Sequence, residues 1–338
     1  MPKSGYFLPD CDKRAMPPSE KPRHLSFLLL PDFPLMSYAS AVEPLRAANH
    51  LAGEALYRWS HLSVDGAPAR ASVGLSVASD LAWPERAWNE ADRPDQIFVC
   101  AGGNPAAFDH KPTFARLRAA AAAGVAIGGM SGGAYILARA GLLSRRRCVI
   151  HWEHIPALME EFPDLLLERS LYVFDGDRAT CAGGLAAFDM MVDLIGRRHG
   201  APLALAVSEW YLRTQARSGE EDQRLSLRER AQVANPRVLK ALALMEERLE
   251  TPLKRAALAQ AAGVTLRQLE RLFARHLHQS VAARYLDLRL DRARKLLRQT
   301  SLPVVEVAIA SGFSASGHFS RAYKARFGRS PTAERKPQ

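Results

Sequence analysis

Ser131 stands between two pairs of glycines in GGMSGGAYILARAGLL (128–143), with an apolar run before it and a helical pattern after it. A side chain on so sharp a strand-to-helix turn is pushed out of the sheet, and hydrolases use that geometry to present a nucleophile. Serine also needs a base to react. The sequence offers His151 in IHWEH (150–154), in a strand context that suits a pocket wall equally well. A binding chemistry fits the same residues. Gly132, opening a helix, and Gly103, beside Asn104 in CAGGNP (100–105), offer backbone amides to a carboxylate. Tyr135 and Trp152 offer aromatic faces, on which a desolvated cation gains about 0.5–2 kcal/mol. Glu43 and Glu153 can balance a positive charge. Together these predict a pocket for a small zwitterion. A methylated ammonium suits it better than a guanidinium, which needs more acceptors than two acidic groups supply. The plainer reading of Tyr135 and Trp152 is core packing.

The second set of chemistry-bearing residues is basic. The 338 residues carry 46 Lys+Arg against 35 Asp+Glu, a net charge of +11. From Pro236 onward the count is 20 against 8, and before it 26 against 27. Solubility alone would not segregate charge in this way; a basic module beside a neutral one points to nucleic acid. Two segments of that module share one plan. In LKRAALAQAAGVTLRQLERLFARHL (253–277), Leu258, Ala259 and Ala262 form a short packed helix, Gly263 turns, and Thr265 caps a second helix. That helix buries Leu266, Leu269, Leu272 and Phe273, and presents Arg267, Gln268 and Arg271. In LPVVEVAIASGFSASGHFSRAYKARFG (302–328), Gly312 turns, Phe319 and Tyr323 are buried, and Ser316, His318, Arg321 and Lys324 face outward. Each is a helix-turn-helix pattern whose second helix enters a major groove. Lys295, on the basic helix between them, is expected on phosphate.

The elements that must position these groups follow from the patterning. From Leu25 to about His199, short apolar runs alternate with helical stretches, which predicts an α/β domain with a mostly parallel, flavodoxin-like sheet covered on both faces. Predicted strands include LSFLLL, YRWSHLSVDG, ARASVGLSVASD, QIFVCAGG, VAIGGM, CVIHW, LYVFDG and RATCAGG. Ligands in such sheets sit beyond the strands' C-terminal ends, where Gly103 and Ser131 both fall. Residues 1–23 read as a mobile tail without an apolar signal core, 24–211 as the sensing domain, 212–235 as a charged linker, and 236–338 as an all-α domain with two helix-turn-helix motifs. Cys11, Cys100, Cys148 and Cys181 form no CxxC pair, so neither a disulfide frame nor a zinc site is expected, and no cofactor. No apolar run reaches the roughly 18 residues of a membrane span, and a cytoplasmic, nucleoid-associated protein is expected.

Over about 100 residues, Pro236 to Arg335, the chain resembles the AraC/XylS family of transcription regulators, most closely in ASGFSASGHFSRAYKARFGRSP. It departs from that family at Glu334, often an aromatic position there, and at Gly317, which leaves the second recognition helix one contact poorer. Residues 24–200 resemble the PfpI-like branch of the class I glutamine amidotransferase-like superfamily, in CAGGNP, GGMSGGAYILARAGLL, IHWEH and TCAGGLAAFDMMVDLI. Enzymes of that superfamily carry cysteine at the elbow where this chain has Ser131, and the first-strand turn places Met36–Ser37 where the hydratase-like branch has an aspartate. The resemblance therefore implies no catalytic residues and a retained binding surface. The combination of the two domains resembles the GlxA subfamily, whose members that sense glycine betaine, carnitine or arginine carry similar AVEPLRAAN, IHWE and TCAGG stretches. It implies a regulator, an activator by expectation, that acts on promoter DNA with RNA polymerase as a homodimer. The competing expectations are a hydrolase or hydratase using Ser131 with a nucleic-acid-tethering tail, and a scaffold whose effector is another protein.

Overall fold

The computed structural model describes residues 21–83, 93–213 and 217–335; most of the expected N-terminal tail lies outside these. Strand β1 (Arg23–Leu29) already begins at Arg23 and is followed by α1 (Leu35–Ala52) and β2 (Tyr57–Ser63). Three two-residue strands come next, β3 (Ala69–Arg70), β4 (Ser76–Val77) and β5 (Leu81–Ala82). Then come β6 (Gln96–Ala101), α2 (Lys111–Ala122), β7 (Ala126–Ser131) and α3 (Gly133–Arg139). The domain continues with β8 (Arg147–Val149), α4 (Ile155–Glu161), β9 (Leu166–Glu168), β10 (Tyr172–Asp175) and β11 (Arg178–Cys181). It closes with α5 (Ala186–His199) and α6 (Ala201–Trp210).

Among the described residues the main sheet has the order β10-β11-β7-β6-β1-β2-β5, and every pairing is parallel except β10 with β11. β6 is buried at all six positions, as a strand covered on both faces must be. One core, with Phe27, Phe98, Met130 and Met191, lies on one face; the other, with Val99, Ile127, Tyr135 and Leu137, lies on the opposite face. Two predicted strands are placed differently. ARASVGLSVASD is the small hairpin β3–β4, with Val73 and Leu75 exposed at its turn, so alternation there reflects no buried face. CVIHW contributes only β8, which pairs with β9 outside the main sheet and leaves His151 and Trp152 in a turn.

The C-terminal module holds α7 (Leu227–Ala231), α8 (Pro236–Glu247), α9 (Arg255–Ala261), α10 (Leu266–Leu277), α11 (Val281–Gln299), α12 (Val304–Ala310), α13 (Ser316–Phe327) and α14 (Pro331–Glu334). Thr265 and Gln268 form a capping box on α10, and Ser280 caps α11, which starts earlier than the basic run alone suggests. Two separate small cores form around Leu269–Phe273 and around Phe319–Tyr323, with α11 contributing to both.

The segment 212–235 is not a free linker. Gln223 accepts from the Trp152 amide at 2.7 Å and donates to the carbonyls of Ile150 and Ser170 at 2.9 Å. Arg213 and Arg217 close on the buried carboxylate of Asp189 at 2.8 and 2.7 Å. On the other side of exposed Leu225, Arg230 makes a two-pronged pair with Glu246 of α8, and Val233 enters the helical core. Charge without apolar period marks this segment as a linker, and several of those charges tie it down at either end.

Candidate effector site and nucleic-acid interface

The β7–α3 turn holds Ser131 at φ 57° with its side chain 7% exposed, a left-handed conformation unusual outside glycine. The following glycines make the turn possible. A Cβ on Gly133 would stand 2.1 Å from the Val99 carbonyl oxygen. On the third strand, Gly183 (φ 83°) presses its backbone against the serine; a Cβ there would lie 2.6 Å from Ser131 Cβ and 2.7 Å from Ser37 Oγ. Ser37 Oγ in turn accepts from the Gly184 amide at 2.7 Å. The β6–β7 register sets Ala101 opposite Ser131, which brings the exposed Gly103–Asn104 turn to the same sheet end. Asp32 borders Gly103, its Cβ 3.4 Å from where a Cβ of Gly103 would be.

Of the nine residues predicted for the effector site, the structure brings together Gly103, Asn104, Ser131 and His151, the last through its amide to the Ser131 carbonyl at 3.3 Å. Gly132 is at the turn, but its amide donates to Ala101 O at 2.9 Å, so the expected free anion donor is used inside the fold. Tyr135 is a correction. It is fully buried, its hydroxyl donates to Glu161 at 2.5 Å, and Arg139 lies 5.3 Å from its ring centroid. Tyr135 follows the turn by one helical revolution, and its inward rotamer makes it part of the core. Glu43 is a second correction. Tyr211 donates to its carboxylate at 2.6 Å and Arg46 at 2.8 Å, and those bonds hold Glu43 below the usual carboxylate range. It ties α1 to α6.

Trp152 and Glu153 follow His151 in the turn, and Trp152 is half-buried. Its ring is already occupied: the Arg224 guanidinium and the Lys295 ammonium each lie 4.5 Å from the centroid. Lys295 belongs to α11, so its expected place on phosphate is wrong; burial and then Arg224 push its pKa down. Burial also depresses His151 and takes His154 down to about 4, so both imidazoles are neutral at neutral pH. Among the described residues Ser131 Oγ has no hydrogen bond to either histidine or to a carboxylate, the pairing a serine nucleophile needs. Burial pushes the Cys181 thiol of the adjacent strand up to about 12, leaving no thiolate there. Asp32, Ser37, Gly183, Arg224 and Lys295 belong to this region and were missed as site residues. Ser37 was named only as standing where the hydratase-like branch has an aspartate, and Lys295 only as a phosphate contact.

In the helical module, Gly263 (φ 69°) and Gly312 (φ 78°) make the two helix-helix turns. Leu269 and Phe273 bury α10, Phe319 and Tyr323 bury α13, and Arg267, Gln268, Arg271, Ser316, His318, Arg321 and Lys324 are all exposed, as their spacing predicts. Gln268 is partly committed, since its side-chain oxygen accepts from the Thr265 amide at 2.9 Å. A Cβ on Gly317 would meet only the Arg321 guanidinium, at an ordinary contact distance of 3.9 Å. Arg289 of α11 fixes the second turn by donating to the carbonyls of Ser311 and Gly312 at 2.9 and 2.7 Å. Two outward helices with basic and polar faces, held by one scaffold helix, form a surface suited to successive major-groove segments.

This is the build of a sequence-specific DNA-binding regulator with a fused α/β domain. A helix-turn-helix domain model matches residues 258–337. The transcriptional regulator CdhR of Pseudomonas aeruginosa is 44% identical over 91% of this chain and 90% of its own length. GlxA of Rhizobium meliloti is 43% identical over 94% and 97%. A solved ThiJ/PfpI family protein from Pseudomonas syringae shares the fold, with 19% identity, a TM-score of 0.51, and coverage of 72% of this chain and 94% of that one. The chain belongs to the GlxA/GbdR/CdhR-type AraC family of transcriptional regulators. Its curated relatives are regulators rather than enzymes. Among the described residues no helix is long and apolar enough to cross a membrane.

Proposed function

We propose that this DNA-binding regulator responds to a small zwitterion bearing a quaternary ammonium, glycine betaine or carnitine ahead of arginine, received beside Ser131 and Trp152. It acts as an activator and as a homodimer, with RNA polymerase as its further partner. Arg267, Gln268, Arg271, Ser316, His318, Arg321 and Lys324 read or grip the promoter. The observation that carries the effector reading is the Trp152 ring, which gathers two cations in the turn next to the Ser131 carbonyl. An indole that attracts a lysine and an arginine attracts a methylated ammonium by the same quadrupole, and such an ammonium needs no hydrogen-bond acceptor. The exposed Gly103–Asn104 turn serves the carboxylate; Tyr135, Glu43 and the Gly132 amide have no part. Calorimetric titration of the full-length protein with glycine betaine, dimethylglycine, carnitine and arginine tests this. Binding of a methylated ammonium that weakens about tenfold in Trp152→Ala is the expected result. No binding by any of the four, or equal binding by the variant, defeats the reading.

A further inference from the structure

The Trp152 ring joins three parts of the chain that are far apart in sequence. Trp152 belongs to the sensing domain, Arg224 to the connecting segment, and Lys295 to the scaffold helix of the DNA-binding module. Arg292, one residue triplet earlier on α11, faces Glu160 of α4 at 3.9 Å. Helix α11 packs on α4 and on the turn at Pro105–Ala107, the turn that follows Gly103. The helical module is thus seated on the sensing domain through the residues that flank the effector site.

Lys295 makes no ion pair within 4 Å among the described residues; the indole face is its partner. We propose that Lys295 is an internal occupant of the effector's cation position, so that effector binding and seating of the DNA-binding module on the sensing domain compete for Trp152. This rests on the reading of the site given above. The occupant is chemically the weaker competitor. A primary ammonium is strongly hydrated and loses solvation when half-buried, and it stands beside a second cation, Arg224. A quaternary ammonium has little hydration to lose and cannot shed its charge. When it takes the ring, Lys295 leaves, α11 keeps only its packing on α4 and the Pro105–Ala107 turn and the 3.9 Å Arg292–Glu160 pair, and the module is freed to turn. In this scheme no recognition residue is masked in the seated form: α10 and α13 are exposed already, so the effector changes the orientation of the reading surface rather than uncovering it.

The test compares full-length wild type, Lys295→Met and Lys295→Arg by calorimetry with glycine betaine, and by hydrogen exchange of peptides from α4 and α11. Removing the competing cation is expected to tighten betaine binding about fivefold in Lys295→Met, the size of one cation–π contact. Lys295→Arg, which keeps a cation, stays near wild type. Saturating betaine is expected to speed exchange in α4 and α11 of the wild type to the level that Lys295→Met shows without ligand. Equal betaine affinity in all three proteins leaves the effector site standing and overturns the competition. Unchanged exchange in α4 and α11 on betaine binding overturns it as well. If none of the three proteins binds betaine, the effector reading itself falls and this proposal with it.

Discussion

Ser131 holds a left-handed backbone in a turn that closes only because its neighbours are glycines: Gly133 fits against the Val99 carbonyl and Gly183 against Ser131 itself. Gly183 is the least replaceable of them, with φ 83° and no room for a Cβ between Ser131 and Ser37. Gly183→Ala is expected to cost about 2–3 kcal/mol from strain and overpacking and to abolish the effector response. Thermal denaturation and betaine titration check it, and an unshifted melting temperature would show the turn to be more pliant than the geometry requires. The elbow itself was legible in sequence, since an apolar strand running into a serine among glycines and then straight into a helix is the pattern of a sharp strand-to-helix turn. What surrounds it was less so. The inward turn of Tyr135 and the bonds of Glu43 to Tyr211 depend on partners contributed from elsewhere, Glu161 and α6, which no local pattern announces.

The elements of the helical module were the most legible, because α10 declares itself through its Thr265 cap and both α10 and α13 through a glycine turn and an apolar stripe. Glu334 shows the limit. As a departure from an often aromatic position it promised only a weakened packing contact. In the structure it is buried, with Arg294 at 3.2 Å, Arg298 at 2.6 Å and Arg329 at 3.4 Å, so α14 is pinned to α11 by charge. Burial alone would raise this carboxyl, but Arg298 and Arg294 outweigh it and hold it below the usual range. A depressed folded-state value means that the contribution is complete above the unfolded carboxylate range, near pH 4.5, and is lost as pH falls through the lower folded value. Glu334→Gln should therefore destabilise the protein by about 2–3 kcal/mol at pH 7, its arginine partners being partly exposed and screened, and by much less at a pH low enough to protonate Glu334 in the folded protein. Denaturant melts at the two pH values decide it; an equal loss at both would mean that shape rather than charge holds α14.

At the scale of the molecule, the segregation of charge was legible and so was the order of the domains. The seating of one domain on the other was not, since Lys295, one of twenty basic residues of the module, read as a phosphate contact. The exposed arginines of α10 fare better. Arg267 and Arg271 make no ion pair among the described residues, and they stay available to base edges or phosphates. Arg271→Ala is expected to lose about 1–3 kcal/mol of discrimination between operator variants. Lys324→Ala should weaken all sequences alike and reduce the slope of log affinity against log salt by about one unit. Binding isotherms on matched and scrambled duplexes at several salt concentrations separate the two. An Arg271 variant with wild-type preference would remove α10 from base reading.

The anchoring of Arg213, Arg217, Gln223 and Arg224 has a mechanical consequence. With Arg213 and Arg217 clasped by Asp189, Gln223 stitched to the backbone on either side of His151, and Ser226 already capping α7, little more than Leu225 is left as a joint. A freed module on so short a leash does not diffuse away. It swings about one pivot, and its effective concentration at the sensing domain stays in the millimolar range or above, where a tether this short keeps it. Reseating is therefore unimolecular and quick, and it does not depend on how much protein the cell contains. The hinge also limits reach: two such arms in a dimer can meet only half-sites whose spacing lies within the arc of that pivot.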